Sequence, residues 1–217
     1  MTDLPISYSP EMVRARRAGL KTMTRRIARP RGRCSLLDGT WTDSFVLDPG
    51  NREWLMRDCP YGQPGDRLWV REAWKTLAEF DDLPGRALPA EAPVWYLADG
   101  PAPARFGRYR HARFMPRRIS RGLDEVLAVR VERLREISEA DAMAEGLSSL
   151  TKAGSAVKWG IPDRDGLPGT DDDGWPWAEW DMLPCRAYRR LWDRINGAGA
   201  WDADPLVWVV SFKVLLP

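Results

Sequence analysis

Strand-like segments in this chain outnumber helical ones and do not alternate with them, and that order constrains the fold more than any other feature. Leu4 to Tyr8 reads as a first strand. Ser9-Pro10 opens a helix, with Ser as N-cap and Pro at the first helical position. Gly19 suits the left-handed residue that ends it. Thr22 to Ile27 reads as a second strand. The turn residues Pro64-Gly65-Asp66 feed Arg67 to Trp74, where Leu68 and Val70 alternate with Arg67, Trp69 and Arg71. Val94 to Leu97 and Leu127 to Leu134 read as strands, the second with Leu127, Val129 and Val131 on one side. Ser138, with Asp141 three residues on, begins a short helix that Gly146 stops. Pro184 to Ile195 reads as a helix whose apolar stripe is Ala187, Tyr188, Leu191, Trp192 and Ile195. Pro205 to Val214 is apolar on both faces and is expected to be a central strand.

There is no βαβ alternation and no glycine-rich phosphate fingerprint, which argues against a doubly wound sheet. The order predicts an α+β fold, a small β-barrel with packed helices. One domain over residues 1–217 is expected, with long insertions near 34–58, 75–93 and 148–182. The last of these reads as a loop or flap. No cofactor motif is present.

Apolar residues make up 44% and charged residues 29%, an ordinary globular composition. No apolar run is long enough to span a bilayer and no leader is evident, so a cytoplasmic location without membrane contact is expected. The three cysteines, Cys34, Cys59 and Cys185, read as reduced thiols. None has C-x-x-C spacing, so a zinc site built from them and His111 is not expected.

The net charge of +2 hides an asymmetry. Residues 11–33 hold nine Lys or Arg against Glu11 alone, and residues 105–121 hold seven Arg, His111 and no acid. Residues 163–181 hold seven acids against Arg164. A single charge block is usually solvated surface. Two basic blocks so poor in acids predict a polyanion-binding face, and the acidic segment suggests a lid over it.

Chemistry concentrates at Gly19-Leu-Lys-Thr-Met-Thr-Arg-Arg26. Lys21, Thr24, Arg25 and Arg26 lie at a helix-to-strand junction, where a bend can turn Lys21 and Thr24 to one side although alternate strand residues face opposite ways. The group suits either phosphate binding or activation of a nucleophile. Lys21 acts as a base near neutral pH only if burial or neighbouring cations lower its pKa. Glu145 is expected in the last turn of its helix, where an anion is electrostatically disfavoured by about 0.3–1 kcal/mol. Trp69, Trp74, Trp95 and Tyr96 could stack a splayed base, although core packing is the commoner role of such rings.

Residues 18–26 resemble the G-x-K-T-x-T-x-R signature of ASCH domains, members of the PUA-like superfamily. Pro64 to Val70 resembles the family's turn into a barrel strand, Ile137 to Leu147 its short helix, and Trp208 to Phe212 its closing strand. Cys59 to Glu72 is similar to the longer ASCH-like proteins of phages and prophages. The resemblance covers about half of the chain, and none of the three insertions. It implies a PUA-like barrel with a basic cleft that binds RNA, single-stranded nucleic acid or a modified nucleoside. The ligand-binding residues expected there are Arg25, Arg26, Trp69, Arg71, Glu72 and Arg117. One branch of the family hydrolyses N4-acetylcytidine with a Thr, a Lys and a Glu, which correspond here to Thr24, Lys21 and Glu145. Another member is a ribonuclease. The alternative to binding is therefore hydrolysis.

Overall fold

The computed structural model describes residues 1–29, 42–152, 156–169 and 174–216. Its centre is a five-stranded mixed sheet, β1 (Asp3–Ser7), β2 (Met23–Ile27), β3 (Arg67–Arg71), β6 (Leu123–Arg133) and β9 (Leu206–Leu216), in the order β1-β3-β6-β9-β2. β1 runs parallel to β3, and the other pairs are antiparallel. β4 (Trp74–Thr76) pairs with β5 (Val94–Tyr96), and β7 (Ser148–Lys152) pairs with β8 (Ala156–Gly160). The helices are α1 (Pro10–Arg17), α2 (Asp43–Leu47), α3 (Pro49–Arg57), α4 (Glu139–Ala144) and α5 (Pro184–Asn196). The molecule is α+β.

β9 is interior to the sheet, as its two apolar faces require. Val207, Val209 and Val210 are fully buried on it. Ile6, Leu68, Val70, Val126 and Phe212 complete the sheet's contribution to the main core. α1 adds Met12 and Val13, and α5 adds Ala187, Leu191 and Trp192. Each large apolar side chain buried this way stabilises the fold by about 1.5–3 kcal/mol.

The hydrogen-bonded ladder is open, because among the described residues β1 and β2 are edges. Laid flat, those edges would stand four strand spacings apart, about 19 Å, beyond an arginine's reach. Yet Arg26 Nη2 on β2 donates to the Ser7 carbonyl of β1 at 2.7 Å. The sheet therefore curves until its edges face each other. A β-bulge between Val126 and Ala128 lies on this curve. It also breaks the alternation expected of β6: Val126 and Val129 are buried, while Leu127 is 53% exposed.

The three insertions carry more structure than their composition suggests. α2 and α3 occupy the first, their starts capped by Thr42 and Asp48. The second joins residues 105–119 around a separate apolar cluster of Trp74, Leu88 and Met115. The third is no flap. It contains the β7–β8 hairpin and buries Trp175 and Trp180 in the main core. The Trp175 N–H donates to the Ile161 carbonyl, and Arg190 and Arg194 of α5 lie over the Trp175 ring. Glu179 pairs with Arg194. Among the described residues, this segment is thus pinned to α5 instead of lying as a lid over the basic blocks. Asp171, Asp172, Asp173 and Cys34 fall outside the described residues. Cys59 is buried in the core, and Cys185 Sγ sits 3.5 Å from the Ile137 carbonyl. No described helix is long and apolar enough to cross a membrane.

Candidate functional site

Residues 18–22 bring Lys21 and Glu145 together through the backbone. Gly19 adopts φ +74°, a conformation that glycine takes without strain, and ends α1. The Lys21 N–H then donates to the Ala15 carbonyl at 3.1 Å, and the Thr22 N–H to the Ala144 carbonyl at 2.9 Å. Lys21 and Glu145 form an isolated antiparallel bridge. Ser138 caps the start of α4 by accepting from the Asp141 N–H at 3.1 Å. Gly146, at φ +106°, ends this stretch, and a Cβ there would stand 3.0 Å from Ala15 Cβ and 3.2 Å from Lys21 Cβ. Only glycine lets the end of α4 settle against Lys21.

The side chains continue the pairing. Lys21 Nζ donates to Glu145 Oε2 at 2.9 Å, to the Glu145 carbonyl at 2.9 Å and to the Met23 carbonyl at 2.8 Å. Those three acceptors use all three ammonium hydrogens. Arg25 Nη1 donates to the other Glu145 oxygen at 3.2 Å, and its Nη2 to Glu132 Oε1 at 2.6 Å and Asp141 Oδ2 at 2.7 Å. Arg25 is a buried hub whose charge is met by three carboxylates. Burial works against that charge, but Glu145 and Glu132 outweigh it and hold the guanidinium protonated. Burial lowers the Lys21 pKa; Glu145 opposes the shift, and Arg26 and Arg25 add to it.

These groups border a cavity of about 280 Å³, just below the usual range for small-ligand sites of about 300–1,000 Å³. Lys21, Glu145 and Arg26 line it on the polar side. Tyr8, Tyr188 and Trp192 form aromatic walls, joined by Met12, Leu191 and Ile195. Arg26 and Lys21 both lie over the Tyr8 ring, at 5.6 and 5.5 Å from its centroid. No carboxylate among the described residues pairs with Arg26. The Tyr8 hydroxyl and Trp192 Nε1 are buried without a hydrogen-bond partner. Burial first, and Asp124 next, raise the Tyr8 phenol well above its ordinary pKa; burial and Glu145 do the same for Tyr188.

A second buried pair supports the region. Arg16 Nε donates to Asp124 Oδ1 at 2.7 Å, while Asp124 Oδ2 is buried without a partner. Burial pushes the Asp124 carboxyl up to about 6, against the pull of Arg16 and Lys21.

The expected site residues therefore separate. Lys21, Arg25, Arg26 and Glu145 converge on the cavity. Thr24 is fully buried on β2, opposite Val210, and does not line the cavity; its hydroxyl has no hydrogen-bond partner. Trp69, Arg71, Glu72 and Arg117 do not line it either. Arg71 and Arg117 both lie over the Trp69 ring, their guanidinium carbons 5.7 and 5.8 Å from its centroid. Glu72 receives Arg121 in a two-pronged pair at 2.8 and 2.9 Å. Arg121 continues to Asp99, which also binds Arg17 at 2.7 Å. Trp74, one of the expected stacking rings, is fully buried in the second cluster.

The aromatic walls escaped the sequence reading because Tyr188 and Trp192 fit a core stripe. Their signal was the polar edge, since a buried phenol or indole ordinarily finds a partner. Arg16 was legible in the same way: it follows Met12 and Val13 on the buried face of α1, so it demands a buried acid.

No family model matches the chain, and no curated protein or solved structure matches it.

Proposed function

We propose that this chain is an ASCH-type, PUA-like domain whose cavity between β1, β2 and α5 binds a nucleoside, free or as one base of a single-stranded nucleic acid or RNA. The carrying observation is the pairing of aromatic walls with a charged floor. Tyr8, Tyr188 and Trp192 wall a cavity floored by the Lys21–Glu145 ion pair, and Arg26 lines it without a carboxylate partner among the described residues. A planar heterocycle with its own donors and acceptors fits the space between the rings and meets the charged groups at its edge. The curved sheet with facing edges is compatible with a PUA-like barrel, and the ASCH signature supplies the Lys21–Glu145 floor.

Binding fits this geometry better than hydrolysis. A base must offer a lone pair, and Lys21 already donates three hydrogen bonds without touching Thr24. Thr24 would have to reach the cavity and Lys21 would have to lose a proton before an acyl group could be attacked. The lowered Lys21 pKa is the one observation in favour of the hydrolytic alternative.

The test is thermal denaturation with a panel of nucleosides, N4-acetylcytidine and cytidine among them. A ligand at one hundred times its Kd stabilises by about 2.7 kcal/mol, which raises Tm by about 5–10 °C in a domain of this size. At least one nucleoside is expected to do so, with loss of the effect in Trp192→Ala. No shift with any nucleoside overturns the reading. Release of acetate from N4-acetylcytidine, abolished in Thr24→Ala, would replace binding with hydrolysis.

A further inference from the structure

The second basic block builds a groove of its own. Residues 84–86 and 108–116 enclose about 660 Å³, and the lining contains four arginines and one histidine but no carboxylate. The groove is anchored from below. Met115 is buried in the second apolar cluster, and Arg110 is 7% exposed. Arg110 donates to the Leu83 carbonyl at 2.7 Å and the Phe80 carbonyl at 2.6 Å, with its guanidinium 5.1 Å from the Trp74 ring centroid. Its Nε is buried, without a hydrogen-bond partner. His111 Nδ1 accepts from the Arg113 N–H at 3.1 Å and caps the turn at Ala112–Phe114.

The rim is of another kind. Tyr109 is 55% exposed and Phe114 61% exposed. Arg113 lies 4.7 Å from the Phe114 ring centroid. Arg86, Arg108 and Arg113 have no carboxylate partner among the described residues. Asp81 engages the Arg108 backbone, its two oxygens accepting from the N–H at 3.0 Å.

We infer that this groove is a second nucleic-acid site, which takes a single strand by stacking bases on Tyr109 and Phe114 and pairing phosphates with Arg86, Arg108 and Arg113. Cations alone would suit any polyanion. The exposed rings decide between partners. A base carries both a π-face and a neighbouring phosphate, and so uses both features of the rim. An acidic peptide satisfies the arginines and leaves the rings in water. A duplex hides the faces of its bases. The inference does not depend on the nucleoside cavity, which shares no lining residue with this groove.

Fluorescence anisotropy of the full chain with short labelled oligo-U and oligo-dT tests it. Stacking contributes about 1–3 kcal/mol per base, so Tyr109→Ala and Phe114→Ala are each expected to weaken binding about tenfold. Three phosphate contacts predict a log–log salt slope of about −2, and each of Arg86→Ala and Arg113→Ala should flatten it by about 0.7. Trp192→Phe, in the cavity, should weaken oligonucleotide binding less than either ring variant does. Unchanged affinity in both ring variants overturns the inference. So does polyglutamate or duplex DNA bound as tightly as the single strand, or a loss in Trp192→Phe equal to that in the ring variants.

Discussion

The cavity beside Lys21 and the groove beside Arg110 both come from Arg-rich segments, yet they use charge in opposite ways. In the cavity, Lys21 and Arg25 are neutralised by Glu145, Glu132 and Asp141, and their cost of burial is offset by that pairing. Such charges position groups and select among ligands by their hydrogen bonds. In the groove, Arg86, Arg108 and Arg113 remain unpaired at the rim, where they attract a polyanion without specifying it. Counting cations along the chain cannot separate the two uses. What separates them is whether acids distant in sequence return to meet them.

The largest effect is expected from breaking the paired side. Arg25→Met leaves Glu145, Glu132 and Asp141 without their shared partner and should destabilise the fold by about 3–5 kcal/mol in chemical denaturation. Arg86→Ala and Arg113→Ala should each stay within about 0.5 kcal/mol. A comparable loss at either groove position would erase the distinction.

The Asp124 carboxyl gives a pH signature of the buried side. Its pKa rises from 3.8 to about 6 on folding. The folded state then binds the proton more tightly, so this contribution is fully present below pH 3.8 and is lost as pH rises through about 6. The change amounts to about 3 kcal/mol. Denaturation midpoints measured across that window should carry this falling component, and Asp124→Asn should remove it. An Asp124→Asn profile parallel to that of the wild type would refute it.

A smaller effect is expected at Gly146. Gly146→Ala must adopt φ +106° and crowd Ala15 and Lys21, at a cost of about 1–3 kcal/mol. Because the crowding falls on the Lys21–Glu145 junction, nucleoside affinity should drop with stability, while oligonucleotide affinity at the groove should hold. Equal losses at both sites would mean that the two are one.

Local chemistry was the legible part of this fold. Ser9-Pro10, Ser138, Gly19 and Gly146 mark helix ends where the structure has them, and β9 is central as its apolar faces require. Lys21 and Glu145 meet because short-range signals, two helix ends and one strand start, fix both backbones. What escaped depends on distant partners. The bulge in β6 moves Val126 inward and Leu127 outward, which no alternation rule anticipates. Trp175 and Trp180 sit in a Gly- and Asp-rich stretch, yet the core takes them because α5 offers Arg190 and Arg194 to cover the Trp175 ring. Thr24 shares a short motif with Lys21 but, as a strand residue, is buried away from the cavity. Tyr8 becomes a wall only because the sheet curves until β1 faces β2.

A nucleoside held between Tyr8, Tyr188 and Trp192 is the occupant proposed for the cavity. The indole N–H resonance of Trp192, assigned through Trp192→Phe, reports on it directly in a nitrogen-15 NMR titration. Saturating nucleoside is expected to shift that resonance while leaving the Trp74 indole of the second cluster in place. A titration that leaves the Trp192 indole unmoved, or moves only Trp69 on the outer face of β3, would contradict the account.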